Sequence, residues 1–217
     1  CDGDATAVPI GGTPPYRYLW SNGQTTQTIT GLCAGTYSIL GTDANGCIKT
    51  GTVTITQPPL LTVTLSKTDV TCNGICNGSV TAAVTGGTSP YAYAWSNGQT
   101  TSACLGLCTG TYSVAVTDDN GCISSASVTI SSPPVLVPNL TSTSASCFGV
   151  CDGNVSSSPA GGNAPYTYLW SNGCTTSSCT ALCAGTYTLT LTDANSCVIT
   201  GTVSITQPNA LTSSIVA

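Results

Sequence analysis

Apolar side chains alternate with serine and threonine at a period of two along most of the chain. In the middle third, Leu61-Val63-Leu65, Val80-Ala82-Val84, Tyr112-Val114-Val116 and Ala126-Val128-Ile130 each put apolar residues on one face, with small hydroxylated residues mostly between them. This is the period of a half-buried β-strand, whose successive side chains point to opposite faces of a sheet. Turn chemistry separates the runs. Gly86-Gly87 with Pro90, Asn97-Gly98 and Asn120-Gly121 all favour tight reversals, because glycine and asparagine tolerate positive φ. No stretch carries a useful helical period, so the pattern predicts an all-β chain of antiparallel strands. About seven short strands per repeating unit, a tryptophan on a middle strand and a tyrosine opening a late one point to a compact immunoglobulin-like sandwich.

The alternation is itself repeated. Trp20, Trp95 and Trp170 stand 75 residues apart, each followed by Ser-Asn-Gly, and Gly-Thr-Tyr recurs at Gly35, Gly110 and Gly185 in the same register. Repetition at a fixed period means that length was added by copying one folding unit. The register divides the chain into repeat 1 (1–58), lacking its first strand, repeat 2 (59–133), repeat 3 (134–208), and residues 209–217, the first strand of a further repeat. The expectation is a window from a longer polymer, covalent or assembled. No apolar run approaches about 18 residues and no leader is recognisable, so targeting signals are expected outside the window or already removed. Repeats meet at Gln57-Pro58-Pro59-Leu60, Ser132-Pro133-Pro134-Val135 and Gln207-Pro208-Asn209-Ala210. Proline fixes φ and supplies no donor, and strand-like sequence flanks each junction. Tandem sandwiches forming a rod are expected, each repeat adding roughly 30–40 Å.

One strand carries three aromatics of the same parity: Tyr16, Tyr18 and Trp20, then Tyr91, Tyr93 and Trp95, then Tyr166, Tyr168 and Trp170. The main reading places this face against the opposite sheet, with the tyrosine hydroxyls finding polar partners near the ends. The alternative is an exposed platform for stacking sugar rings, which would make surface polysaccharide a partner.

Composition removes several function classes. The net charge is -5, histidine is absent, and Arg17, Lys49 and Lys67 are the three basic residues. Without a basic cluster to displace counterions the chain is not expected to bind nucleic acid or anionic membrane surfaces, and no membrane insertion is expected. Without histidine there is no Ser-His or Cys-His pair, and the carboxylates do not recur as a close couple, so neither catalysis nor a cofactor is expected. Fourteen cysteines at repeating positions imply disulfides and an oxidising, extracytoplasmic location. Thiolate–zinc sites are disfavoured because paired C-x-x-C knuckles are missing.

The recurring set in repeat 2 is Cys72, Cys76, Cys108 and Cys122, matched by Cys147, Cys151, Cys183 and Cys197. Four cysteines allow three pairings, and spacing does not choose among them. Repeat 3 adds Cys174 and Cys179, close enough in sequence for a local bridge across a turn. Repeat 2 keeps only Cys104 of that pair, which predicts an unpaired or intermolecularly paired thiol. Asp43, Asp118 and Asp193 each end a strand before an Asn-Gly or Asn-Ser turn. The main expectation is a carboxylate accepting turn N–H bonds. The alternative is a calcium site completed by Asn45, Asn120 or Asn195, with Asp119 helping in repeat 2, although this turn offers few charged oxygens. Sequons at Asn77, Asn139 and Asn154, and Ser/Thr-rich outer faces, make glycans a further candidate modification.

The ordered string in repeat 2 is specific: Cys-x3-Cys-Asn-Gly-Ser, Gly-Gly-x-x-Pro-Tyr-x-Tyr-x-Trp-Ser-Asn-Gly-Gln-Thr-Thr, Gly-Leu-Cys-x-Gly-Thr-Tyr, Thr-Asp-x-Asn-Gly-Cys and Val-Thr-Ile-x-x-Pro. It resembles the SprB repeat, found in very long cell-surface adhesins of gliding bacteria. The resemblance spans the chain, with Ser196 in place of the turn glycine at Gly46 and Gly121, and Cys174 in place of Gln24 and Gln99. It implies export to the bacterial cell surface and a role in attachment or gliding. It also implies pairing Cys76 with Cys108 and Cys151 with Cys183, from the family's variable occupancy at those positions. Cys72 with Cys122 and Cys147 with Cys197 then follow. By the same register Cys1 pairs with Cys33, and Cys47 needs a cysteine from a preceding segment. Two organisations fit these expectations. One is an adhesin stalk in which each repeat's partners are its neighbours. The other is a filament shaft of separate copies, in which residues 209–217 of one copy supply the strand that precedes Cys1 in the next.

Overall fold

The structure, a computed structural model, describes residues 1–214. Its seventeen strands pair antiparallel throughout, and no helix occurs among the described residues. By compactness the chain divides into two units, Cys1–Leu61 with Gly86–Thr88, and Thr62–Thr85 with the chain from Ser89 onward.

The first unit holds β1 (Gly3–Thr6), β2 (Arg17–Trp20), β3 (Thr28–Leu32), β4 (Gly35–Thr42) and β5 (Ile48–Ile55). They form a two-stranded sheet, β1-β3, and a three-stranded sheet, β2-β4-β5. Ala5, Ile29 and Leu32 from one sheet and Trp20 from the other make its core, with Tyr18, Tyr37, Ile39, Val53 and Ile55 packed around them.

The second unit contains two complete six-stranded sandwiches. One is β6 (Thr62–Thr68), β7 (Gly78–Thr85), β8 (Ala92–Trp95), β9 (Ala103–Leu107), β10 (Gly110–Thr117) and β11 (Ile123–Ile130). The other is β12 (Leu140–Thr143), β13 (Gly153–Ser157), β14 (Thr167–Trp170), β15 (Ser178–Leu182), β16 (Gly185–Thr192) and β17 (Val198–Ile205). Each pairs its first, second and fourth strands in one sheet (β6-β7-β9, β12-β13-β15) and its third, fifth and sixth in the other (β8-β10-β11, β14-β16-β17). This is the immunoglobulin arrangement without its fourth strand. The sequence pattern suggested about seven strands. The stretch from Ser96 to Ser102 instead turns at Asn97-Gly98 and crosses directly between the sheets, which leaves too little chain for another strand.

The period-two faces become the core. Val80, Ala82, Cys104 and Leu107 from one sheet meet Trp95, Val114, Val116 and Ile130 from the other. In the last sandwich Val155, Cys179 and Leu182 meet Trp170, Leu189, Leu191 and Ile205. The outward faces carry hydroxyl ladders, among them Thr62–Thr85 at 2.7 Å, Thr111–Thr129 at 2.9 Å and Thr186–Ser204 at 3.1 Å. Such cross-strand pairs explain threonine at those positions in terms of sheet stabilisation.

The aromatic strand faces inward. Trp95 is 4% exposed and its Nε1–H donates to the Thr101 carbonyl at 2.8 Å, a bond repeated from Trp20 to Thr26 and from Trp170 to Thr176. Tyr91 and Tyr93 pack against the same core, and the hydroxyls of Tyr16 and Tyr166 donate to the carbonyls of Gly11 and Gly161. No indole face is left to stack on a sugar. On the next-to-last strand of each unit of the repeat (β4, β10 and β16), the hydroxyls of Tyr37, Tyr112 and Tyr187 donate to the carbonyls of Cys33, Cys108 and Cys183, the tyrosine corner of immunoglobulin-like domains.

Candidate functional site: a cysteine joint and an uncovered groove

Three bridges join a residue just before β1, β7 or β13 to the loop before the tyrosine corner: Cys1–Cys33, Cys76–Cys108 and Cys151–Cys183. Cys174–Cys179 is the local bridge of the last sandwich. Its counterpart, Cys104, is a free thiol with no exposure. The partner position there is Gln99, whose side chain bonds Leu105 in both directions at 3.1 Å, so a side-chain hydrogen-bond pair stands where repeat 3 has a covalent link.

The remaining cysteines overturn part of the expected pairing. Cys72 is bonded to Cys197, across two sandwiches, with Cα atoms 5.7 Å apart, whereas Cys122 and Cys147 are free and exposed. Cys72–Cys122 and Cys147–Cys197 therefore do not form. The reason lies in strand direction. Cys122 immediately precedes β11, whereas the loop bearing Cys72 lies at the far end of that strand, where the Val70 N–H donates to the Ser131 carbonyl. Eight strand residues span about 26 Å, and a disulfide needs Cα atoms within about 7 Å. The turn cysteine of one sandwich instead faces the sandwich before it.

Around that bridge the chain builds a joint. The Asn195 amide donates to the Thr71 carbonyl at 3.0 Å, and the Asn73 amide reaches Ser132 Oγ at 3.3 Å and the Pro133 carbonyl at 3.5 Å. Asp69 accepts from Lys67 at 2.8 Å and from the Ser131 N–H at 2.7 Å, and these donors hold its carboxyl below the usual aspartate value. A cleft of about 380 Å³ remains among Asp69, Thr71, Ser132, Asn163 and Asn195.

The recurring aspartates shape the turn that enters the joint. Asp193 is buried, and its carboxylate accepts from the N–H groups of Asn195 (2.9 Å), Cys197 (2.8 Å) and Asn163 (2.9 Å). Burial pushes this carboxyl up, but the three N–H donors outweigh it and the net shift is downward. Asp43 repeats the set with Thr13, Cys47 and Asn45, the Thr13 bond contributing most to its lowered value. Asp118 accepts from Asn120 and Cys122, and the neighbouring Asp119 is exposed. No group of three or more potential metal ligands occurs among the described residues. Of the sequons, Asn77 exchanges two hydrogen bonds with Thr71, Asn139 donates its amide to the Ser158 carbonyl, and Asn154 lies within β13.

The first unit presents a groove of about 590 Å³ lined by Val8, Ile10, Gly12, Tyr16, Tyr18, Ile39 and Gly51, among others. Val8 and Ile10 are 76% and 97% exposed. The equivalent surface of the last sandwich is covered by the segment from Pro134 to Leu140. There the Gly162 N–H donates to the Pro134 carbonyl, Val137 and Ala160 exchange backbone bonds, and Leu136 sits in the core. Sequence reasoning missed this groove and Asn73, and it singled out Asn195 as a candidate calcium ligand rather than as part of the joint. The available signal was the shared register of Leu61, Leu136 and Leu211.

The fold and the joint define a class: tandem immunoglobulin-like modules stapled internally and, at the joint between the second and third, to each other. The SprB repeat model matches residues 1–25, 64–100 and 139–175. These three segments are thus similar to the SprB repeat, and the last two are displaced by the same 75 residues as the tryptophans. No curated protein matches the chain. Among solved structures it is similar to the N-terminal eight Ig domains of Down Syndrome Cell Adhesion Molecule (12% identity, 94% of this chain, 34% of that one, TM-score 0.39). It is also similar to the amphioxus IgVJ-C2 molecule (15% identity, 60% of this chain, 96% of that one, TM-score 0.31). The chain thus spans about a third of the first of these, and likenesses this distant carry no functional argument.

Proposed function

We propose that this chain is a length of an extracellular adhesive repeat array, serving as the stalk of a bacterial cell-surface adhesin used in attachment or gliding. The observation that carries the reading is the Cys72–Cys197 bridge. A disulfide linking consecutive modules, in addition to the peptide connection, suits a shaft that must transmit force outside the cell, and disulfides persist in oxidising surroundings. The SprB match supports the surface location. No catalytic role is assigned. Core packing of the tryptophans and exposure of small hydroxylated faces favour a spacer over a glycan-binding module.

Antibodies raised against one repeat should label intact, unpermeabilised cells. Removing whole 75-residue repeats from the array should preserve export while reducing attachment or gliding in step with length. Labelling only after permeabilisation, or attachment indifferent to repeat number, would overturn the proposal.

A further inference from the structure

We propose that Asn73 is a self-modification site: the Gly74 backbone nitrogen attacks the Asn73 side-chain amide, residue 73 becomes a carboxylate, and the joint between the second and third repeats loosens. What the loosening means for the protein rests on the reading of an extracellular array; the modification itself does not.

Asparagine followed by glycine occurs seven times, at Asn22, Asn45, Asn73, Asn77, Asn97, Asn120 and Asn172. The pair is prone to cyclise because glycine has no side chain to hinder the approach of its nitrogen to the preceding amide. The reaction needs a backbone nitrogen without a hydrogen-bond partner and a side chain able to swing onto it. The fold removes one or both of these freedoms at six of the seven pairs.

In the turns after the tryptophans, the N–H groups of Gly23, Gly98 and Gly173 donate to the carbonyls of Trp20, Trp95 and Trp170, each at 2.9 Å. The side-chain oxygens of Asn22, Asn97 and Asn172 are held by the N–H groups two residues on, each at 3.2 Å. In the aspartate turns, Gly46 N–H donates to the Asp43 carbonyl at 3.1 Å and Gly121 N–H to that of Asp118 at 3.0 Å. Asn77 exchanges bonds with Thr71 at 3.1 and 2.8 Å, and Gly78 is buried, where an added Cβ would lie 2.9 Å from Ile130.

Asn73 and Gly74 keep both freedoms. Among the described residues no hydrogen bond engages the Gly74 N–H. Both residues are exposed, and Gly74 sits at φ 82° with nothing within 4 Å of an added Cβ. The Asn73 side chain is tethered only through Nδ2, by the long contacts of 3.3 and 3.5 Å to Ser132 Oγ and the Pro133 carbonyl. The third repeat shows the same loop closed. There Gly149, at the register of Gly74, donates to Gln207 Oε1 at 2.9 Å, and Phe148 stands in place of the asparagine. The second repeat has Ser132 in place of that glutamine.

The Gly74 nitrogen gives its proton to hydroxide, adds to Asn73 Cγ and expels the side-chain nitrogen as ammonia, which closes a succinimide ring. Ammonia takes a proton from water and restores the hydroxide. A second water opens the ring at one of its two carbonyls and leaves aspartate or isoaspartate. The net change is amide plus water to carboxylate plus ammonium, with no redox step. The carboxylate has no N–H to give Ser132 or Pro133, and it sets a charge against the Pro133 carbonyl oxygen. Isoaspartate also inserts an extra backbone carbon directly after Cys72, the cysteine that holds the two repeats together.

The test incubates the purified 217-residue chain, disulfides intact, at mildly alkaline pH for days and maps every Asn-Gly pair by mass spectrometry. Asn73 should convert at least about tenfold faster than the other pairs, the scale set by the hydrogen bonds those must break. In the reduced, denatured chain all the pairs should convert at similar rates. Ser132→Gln, which restores the acceptor of the third repeat, should slow Asn73 conversion severalfold in the folded chain and leave it unchanged in the denatured one. Asn73→Asp should let a mild thiol reductant open Cys72–Cys197 about fivefold faster, the factor one lost hydrogen bond carries, with Cys151–Cys183 unaffected. Conversion at Asn73 no faster than in the tryptophan turns, or an Asn73→Asp chain whose bridge is reduced at the parental rate, would overturn the inference. Fast conversion at Asn73 in a fresh chain that lacks the Cys72–Cys197 bridge would uphold the modification and count against the array reading instead.

Discussion

Replacing Asp193 with alanine tests whether the recurring aspartate organises the turn that enters the joint. The substitution strips the acceptor from three N–H groups at 2.8–2.9 Å in a buried position. A hydrogen bond to a charged group contributes about 1.5–3 kcal/mol. The three share one charge, however, and Asn195 and Cys197 border solvent, so water replaces part of the loss. The net destabilisation should be about 3–5 kcal/mol, which lowers the melting temperature of a 60–100-residue module by about 12 °C or more. Asp119→Ala, at the exposed neighbour, should change stability by less than about 0.5 kcal/mol. The pH dependence has a definite sign. Asp193 is shifted down in the folded state, so its contribution is complete above the ordinary aspartate pKa and is lost as pH falls through the lowered folded value. The gap between parent and Asp193→Ala, followed by calorimetry, should be full at pH 6 and close only below about pH 4, near the unfolded aspartate value. A variant melting within about 2 °C of the parent at neutral pH would refute the assignment.

Three further outcomes follow from the same geometry. Gln99→Cys should form a bridge with the buried Cys104, reproducing Cys174–Cys179, and raise stability by about 2 kcal/mol in the loop-entropy account; free thiols at both positions after oxidation would refute it. Tyr187→Phe removes the hydroxyl that donates to the Cys183 carbonyl at 3.0 Å and should cost about 1 kcal/mol in a denaturant titration, and an unchanged midpoint would deny the corner a stabilising role. Because the aspartate oxygens are engaged by backbone N–H groups, a chelator should leave the melting curve unchanged, and a fall would assign the Asp43, Asp118 and Asp193 turns to calcium.

Strand positions were legible because half-burial writes itself as alternation: Val80 and Ala82 are buried while Thr81 between them is exposed. The inward face of the aromatic strand was legible for the same reason. The joint was not. Pairing Cys72 within its own repeat followed from the resemblance, because spacing does not say at which end of a strand each loop lies. Only the course of β11 shows that Cys72 and Cys122 stand a strand length apart. The absence of a seventh strand depended on the direct crossing after Trp95, which turn residues alone do not distinguish from a hairpin. The groove was hidden for a different reason. Val8 and Ile10 read as ordinary apolar residues until the third repeat shows Leu136 covering the same surface.

The central claim is that the second and third repeats are joined covalently through the loop cysteine of one and the turn cysteine of the other. Proteolysis of the native protein with free thiols blocked and no reductant, followed by mass spectrometry of linked peptides, tests it directly. The account predicts Cys72 linked to Cys197, with Cys76–Cys108 and Cys151–Cys183 in the same map. Recovery of Cys72 linked to Cys122, or of Cys72 as a blocked free thiol, would contradict it.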